Sequence, residues 1–373
     1  MKWNPKHRLF SRPKALRHQE RGVRRIALSS TVSLPRVPRL PSWDPEEFQA
    51  KAYIPAVPFQ FPSLGSHLPP ACSKWFTHED EPSSHSRGQT GFDNNDSRMT
   101  PRKSELNASF WAEYADTIVP LELTSTGKAS GSSLEDETFH RTEAPFDILL
   151  AYLSAANSSN NLNPTQNQQQ THSIYLAQCS LMSLPPSLQQ DIPTPELITR
   201  CGSIKGDIYA SSLWLGRPPT YTPLHRDPNP NIFIQLAGRK VVRLLPPEVG
   251  GAVFADVQAR LQQGEQNAAS ASSYSPTIRG EEMMSGPEKA LLHAATWPAE
   301  PDETNSTSAN SNNGGGDPAP SQDSPSRYTA LLGTYAQEAT LGMGDALFIP
   351  KGWWHSVKGV GPGITASANW WFR

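Results

Sequence analysis

In the N-terminal part of the chain, apolar residues recur at helical spacing in a few short stretches. Residues 145–154 hold Phe146, Leu149, Leu150 and Leu153 three and four apart, which predicts a helix. Residues 110–114 are a shorter helical stretch, and residues 252–262 repeat the pattern with Val253, Val257 and Leu261. Residues 43–48 carry a helix start: Asp44 as N-cap, Pro45 at the first position and Glu47 as the reciprocal partner of a capping box. From residue 173 onward the period shortens towards two. Residues 173–178, 207–215, 232–236 and 240–245 read as strands, the last two joined by a tight hairpin turn at Ala237-Gly238-Arg239. Residues 118–123 form an earlier strand with Glu122 inside it, and residues 56–61 a short one that Pro58 confines to an edge. Residues 328–332, 338–341, 346–349, 355–360 and 364–372 finish the chain as further short strands. Many short antiparallel strands separated by Gly and Pro turns predict a mainly β fold with flanking helices, a sandwich or barrel.

Polar segments interrupt this pattern at residues 77–105, 125–138, 157–170 and 263–327. The last contains Asn310-Ser-Asn-Asn-Gly-Gly-Gly316 and is too long for a structureless loop inside a compact domain, so it reads as a disordered insertion. The predicted organisation is a disordered basic tail over residues 1–35 and a single domain over residues 36–373, with disordered insertions at about 77–105, 125–138 and 263–327. An apolar content of 36% with 36 prolines agrees with a chain that is partly disordered.

Charge and cysteine usage narrow the function classes. Residues 1–27 carry nine Lys or Arg against Glu20 alone, which leaves the rest of the chain at net −10 within a total of −2. The remainder is therefore not basic enough for a broad nucleic-acid surface. The N-terminal stretch lacks the apolar segment of a secretory signal, and reads as a disordered tail, a mitochondrial presequence, a nuclear-import patch or a nucleic-acid-binding arm. Nucleus or cytoplasm is the expected location, with the mitochondrion as the alternative that the basic stretch raises. No run of about 18 apolar residues predicts a membrane span. Cys72, Cys179 and Cys201 lack C-x-x-C spacing, so neither a disulfide framework nor a structural zinc site is expected, and a reducing compartment is favoured.

The chemistry concentrates in residues 221–243. His225 and Asp227 stand two apart, so in an extended chain they share one face. With a distant histidine they would make a 2-His-1-carboxylate triad, the ligand set of non-haem Fe(II) oxygenases. His355 follows the Gly344-Asp-Ala-Leu-Phe-Ile-Pro turn and is the nominee. A lone His-x-Asp often decorates a turn, and here the pair is expected to open the strand at 232–236. The His225-Arg226-Asp227 tripeptide does not signal a kinase, because no Asp-Phe-Gly and no Gly-rich loop accompany it.

Two longer stretches carry a family resemblance. Thr222-Pro-Leu-His225-x-Asp227-Pro-x-x-Asn231 with Gln235-x-x-Gly238-Arg239-Lys240, and Gly344-Asp345-x-Leu347-Phe348-Ile349-Pro350 with Trp354-His355 and Asn369-Trp370-Trp371, resemble the JmjC-domain cupin-type 2-oxoglutarate oxygenases. Within that family the likeness is to the small hydroxylase-type group that includes factor-inhibiting-HIF and the JmjC-domain-containing protein five type. The resemblance implies a double-stranded β-helix, or jelly-roll, barrel. It implies Fe(II) on His225, Asp227 and His355, with 2-oxoglutarate and dioxygen as co-substrates. It also implies that Lys240 pairs with the distal carboxylate of 2-oxoglutarate, aided by the Tyr175 and Thr222 hydroxyls and the Asn231 amide. Taken alone, Lys240 reads as a solvent-facing turn residue, Tyr175 as a core aromatic and Asn231 as a loop residue.

By the same resemblance Trp214 and Glu122 line the pocket of the prime substrate, where an aromatic ring and a carboxylate would suit a cationic Lys or Arg side chain. Each reads equally well as plain core and surface charge. Trp353, Trp354, Trp370 and Trp371 read as packing. The implied reaction is oxidative decarboxylation of 2-oxoglutarate to succinate and CO₂ coupled to hydroxylation of a C–H bond. A protein or peptide side chain is the expected substrate, and a methylated one would end demethylated. A tRNA-modifying hydroxylase and a catalytically inactive barrel that serves as a binding module are the alternatives. The protein is expected to be a monomer or homodimer.

Overall fold

Asp44 starts its helix as the sequence predicts: its carboxylate accepts the Glu47 N–H at 2.7 Å. The reciprocal arm differs, because Glu47 takes the Ser42 hydroxyl at 2.8 Å and the Asp44 N–H goes to Ser42 Oγ at 3.2 Å. The computed structural model describes residues 34–62, 68–79, 103–128, 135–158, 171–267, 284–298 and 326–373. The basic tail up to residue 33 and the polar stretch 159–170 lie outside the described residues. Val32–Arg373 form one compact unit.

The elements run, in chain order, α1 (Pro45–Phe48), β1 (Phe59–Phe61), α2 (Ala71–Lys74), β2 (Phe76–Glu79), β3 (Lys103–Leu106), α3 (Ala108–Trp111), β4 (Ile118–Lys128) and β5 (Glu135–Pro145). Next come α4 (Phe146–Ser158), β6 (Thr171–Ser180), α5 (Pro186–Asp191), α6 (Glu196–Arg200), β7 (Ile208–Gly216), β8 (Thr220–Arg226), β9 (Asn231–Ala237) and β10 (Arg239–Leu245). The chain closes with α7 (Pro247–Asn267), α8 (Gly286–Thr296), α9 (Ser326–Tyr335), β11 (Gln337–Leu341), β12 (Ala346–Ile349), β13 (Trp354–Val360) and β14 (Thr365–Phe372).

An eight-stranded sheet in the order β1-β12-β9-β14-β7-β6-β4-β5 and a four-stranded sheet in the order β11-β10-β13-β8 form a jelly-roll. Phe233, Leu347 and Ile349 from the larger sheet bury against Val242, Leu244, Ala339 and Leu341 from the smaller one. Outside the larger sheet, a second core gathers Trp75, Trp111, Phe146, Leu149 and Leu153. The short β1 is an edge strand, as Pro58 requires.

Five sequence expectations are corrected. The turn at residues 237–239 is not a hairpin. β9 and β10 lie in different sheets, and Gly238 (φ 63°) is the corner between them. A Cβ on Gly238 would stand 2.1 Å from the Ile364 carbonyl oxygen, so glycine is required twice over. Residues 125–138 are not all loop, since 125–128 and 135–138 extend the long β4–β5 hairpin. The ends of 77–105 pair as β2 and β3. Within 263–327, α7 runs to Asn267 and α8 occupies 286–296, while Tyr328–Leu332 is helical in α9 and not a strand. Helix α8 is fastened to the smaller sheet. Trp297, at its C-terminal end, lies 4.1 Å from the Arg243 guanidinium and 4.5 Å from the Lys358 amine. Arg243 also donates to the Thr296 carbonyl at 2.7 Å, a cation meeting the negative end of the helix.

Candidate metal centre and pocket

Strand pairing brings the distant histidine to the His-x-Asp pair. His225 and His355 are direct partners across β8 and β13, with ring centres 4.2 Å apart. His225 lies one residue from the end of β8 and Asp227 follows it, so the pair closes a strand and does not open one. Asp227 Oδ2 lies 3.5 Å from His355 Nε2, and Oδ1 lies 4.0 Å from His225 Nε2. One ligand atom from each of the three falls within 4.8 Å of the others.

The tautomers suit a metal. His225 Nδ1 faces the Pro223 carbonyl at 2.8 Å and His355 Nδ1 faces the Trp353 carbonyl at 3.2 Å. A carbonyl only accepts, so each Nδ1 carries the proton and each Nε2 presents a lone pair to the shared space. Burial pushes His355 down to about 4, and the neighbouring His225 adds to this, so the ring is neutral at physiological pH. Burial alone would raise the Asp227 carboxyl, but the two imidazoles, the Trp371 indole and the Asn231 amide outweigh it and hold it below the ordinary range. Two neutral imidazoles and one carboxylate fit Fe(II) on donor chemistry.

Thr222 and His225 are three apart, a spacing that would point them to opposite faces of a regular strand. The register of β13 on β8 shifts between His355 and Val357, and this bulge returns both side chains to the same pocket. Asn231 takes a role nearer the metal than the resemblance implies. Its amide donates to Asp227 Oδ2 at 3.1 Å and its Oδ1 accepts from Asn369 at 3.0 Å, so it orients the carboxylate.

Lys240 is not a solvent-facing turn residue, being only 3% exposed. Its Nζ donates to Ser367 Oγ at 2.7 Å and Tyr175 Oη at 3.3 Å, and among the described residues it has no ion-pair partner. Burial depresses its amine to about 7. Burial also pushes the Tyr175 phenol up, with the Glu122 carboxylate adding to this, so Tyr175 stays a donor. Two glycines make room. A Cβ at Gly216 would meet the Tyr175 ring at 2.3 Å, and one at Gly359, which pairs with Lys240, would meet Thr220 Oγ1 at 2.4 Å.

Glu122, Tyr175, Trp214, Thr222, His225 and Asp227 line one pocket of about 660 Å³. Glu122 pairs with Tyr175 across β4 and β6, and the Trp214 ring lies 6.2 Å from the Tyr175 ring. The Trp214 indole nitrogen is buried without a partner among the described residues. Sequence reasoning missed Ser367, Thr220, Trp371 and Lys289. Trp371, read as packing, lines the pocket with Asp227 and helps to hold its carboxyl low. Lys289 lies in the segment read as a disordered insertion, yet it lines the pocket and its Nζ meets Glu137 on β5 at 2.5 Å.

Residues 45–373 match the model of the cupin-like domain family. Over 222 residues the chain is 26% identical to Lysine-specific demethylase JMJ31 of Arabidopsis thaliana, an alignment covering 58% of this chain and 30% of the relative. It is 26% identical over 197 residues to Lysine-specific demethylase 8 of Xenopus tropicalis, covering 53% and 32% respectively. JmjC domain-containing protein D of Dictyostelium discoideum is 35% identical over 95 residues, covering 23% of this chain and 21% of the relative. The chain thus spans between about a fifth and a third of the length of these relatives.

Proposed function

The chain belongs to the cupin-like family, and on that premise we propose that it is an Fe(II)- and 2-oxoglutarate-dependent dioxygenase acting on a protein side chain. The observation that carries this reading is Lys240, a buried amine with no carboxylate partner among the described residues, whose hydrogen-bond partner Tyr175 lines one pocket with His225 and Asp227. Burying a cation without a counter-charge is costly, so the site is built to receive an anion. The distal carboxylate of 2-oxoglutarate is such an anion, and Tyr175 and Thr222 would hydrogen-bond to it. When bound, Fe(II) with 2-oxoglutarate and dioxygen supplies an oxidation that yields succinate and CO₂ and inserts one oxygen atom into a C–H bond.

The chain's residues do the holding and orienting. His225 and His355 offer Nε2 because Pro223 and Trp353 fix their tautomers. Asp227 is kept anionic and turned by Asn231. Glu122 and Trp214, in the same pocket, suit a cationic Lys or Arg side chain of the substrate. Relatives named lysine-specific demethylases support a methylated lysine as one form of it, since a hydroxylated N-methyl group is lost as formaldehyde.

The test is succinate release from 2-oxoglutarate by the purified full chain with Fe(II) and no added prime substrate. Wild type is expected to turn over slowly and His225→Ala not at all. Equal succinate from both would remove the enzyme reading.

A further inference from the structure

A second cavity of about 800 Å³ adjoins the metal pocket and shares Gln178, Asp227 and Trp371 with it. Gln178 stands on the ridge between the two, at a β6 bulge, with φ 50°, a conformation uncommon outside glycine. The second cavity concentrates exposed apolar surface. Met182 (76% exposed), Tyr209 (57%) and Ile208 (37%) all line it. Solvent-exposed hydrophobic patches of this kind mark binding surfaces. The rest of its wall combines Ser, Thr and Gln side chains with Leu181, Ile192, Ala210, two prolines and two tryptophans, and Asp227 is the only charged residue among the described residues that line it. Arg373 lies 5.4 Å from the Tyr209 ring centre but is tied to Asp207 at 3.2 Å.

We propose that this cavity is the docking subsite for an apolar residue of a polypeptide substrate, flanking the side chain that enters the metal pocket. The inference rests on the dioxygenase reading. Continuity through Asp227 and Trp371 places the flanking chain in the cavity while its neighbour reaches the metal. The lining selects the class of substrate. A nucleic-acid backbone needs cations along its track, and this wall offers none. Apolar side chains with serine, threonine and glutamine partners match an extended peptide instead.

The test uses a displayed library of random dodecapeptides, selected on the full chain loaded with Mn(II) and 2-oxoglutarate, so that chemistry does not run. Wild type is expected to enrich peptides with an apolar residue at a fixed offset from a Lys or Arg. Met182→Glu and Tyr209→Glu, both at exposed positions, are expected to bind those peptides at least ten-fold more weakly. Ile54→Glu, equally exposed and outside both cavities, is expected to bind them as wild type does. Failure of wild type to enrich any peptide, or equal binding by all three variants, would overturn the proposal. Peptide-independent succinate release, measured on the same proteins, should be unchanged in all three. Its absence from wild type would count against the dioxygenase reading, and its presence without peptide binding against the subsite alone.

Discussion

Lys240 makes the site residues readable as a trade between stability and function. Its amine is held near 7 by burial, whereas in the unfolded chain it titrates near 10.5. Between those values the unfolded chain binds more protons, so the apo-protein gains stability as pH rises through that window and loses it as pH falls. Lys240→Met should flatten that slope and raise the denaturation midpoint at pH 7, by about 1–3 kcal/mol, because an apolar side chain no longer has to hide a charge. Paired urea melts of wild type and variant from pH 7 to 10 would show it, and parallel pH slopes would reject the buried-cation account. The same variant should raise the 2-oxoglutarate concentration for half-maximal turnover by roughly 100-fold, the effect of removing one buried charge-assisted contact. Metal binding, followed by fluorescence or calorimetry with Mn(II), should be nearly unchanged. From composition and spacing alone Lys240 was indistinguishable from a surface turn residue. The sheet-switching corner at Gly238 is what carries it inward, and no local signal encodes that corner.

Helix α8 brings the same lesson to the level of elements. Trp297 is held between Arg243 and Lys358, so Trp297→Ala should detach α8 and lower stability by about 2 kcal/mol, read from the midpoint of a denaturant melt. Lys289→Ala removes a partly exposed ion pair and should change stability by less than about 1 kcal/mol. A larger loss for Lys289→Ala than for Trp297→Ala would mean that α8 is fastened from the pocket side instead. The sequence disclosed the strands with apolar alternation, the helix grammar at Asp44 and the three members of the His225-Asp227-His355 cluster. It did not disclose α8, since Gly286, Pro287 and the Ser- and Asn-rich flanks swamp an eleven-residue helix whose apolar face is only Leu291, Leu292 and Ala295. The β4–β5 hairpin was missed for a related reason. Its outer halves are polar on both faces, so they lack the alternation by which a half-buried strand is recognised. Thr222 was reachable by resemblance but not by period, because the bulge in β8 between Thr222 and His225 breaks the period.

For the whole molecule, ligand binding and folding are one equilibrium. A metal and 2-oxoglutarate that bind only the folded chain should stabilise it by about 2.7 kcal/mol at a hundred-fold excess over Kd. Thermal melts with Mn(II) and 2-oxoglutarate, then with a chelator added, should show a rise of several degrees and its reversal. An unchanged Tm would argue that the three side chains hold no metal. Among the described residues no helix is long and apolar enough to cross a membrane. A metal held by these three side chains would act in this equilibrium beyond chemistry. β8 is the outermost strand of its sheet, and it delivers His225 and Asp227, while His355 belongs to the neighbouring β13. An ion held there would lace the margin of the sheet to its interior, and its loss would leave β8 easier to detach from β13. On the proposed reading, metal depletion would lower the stability of the protein as well as its turnover.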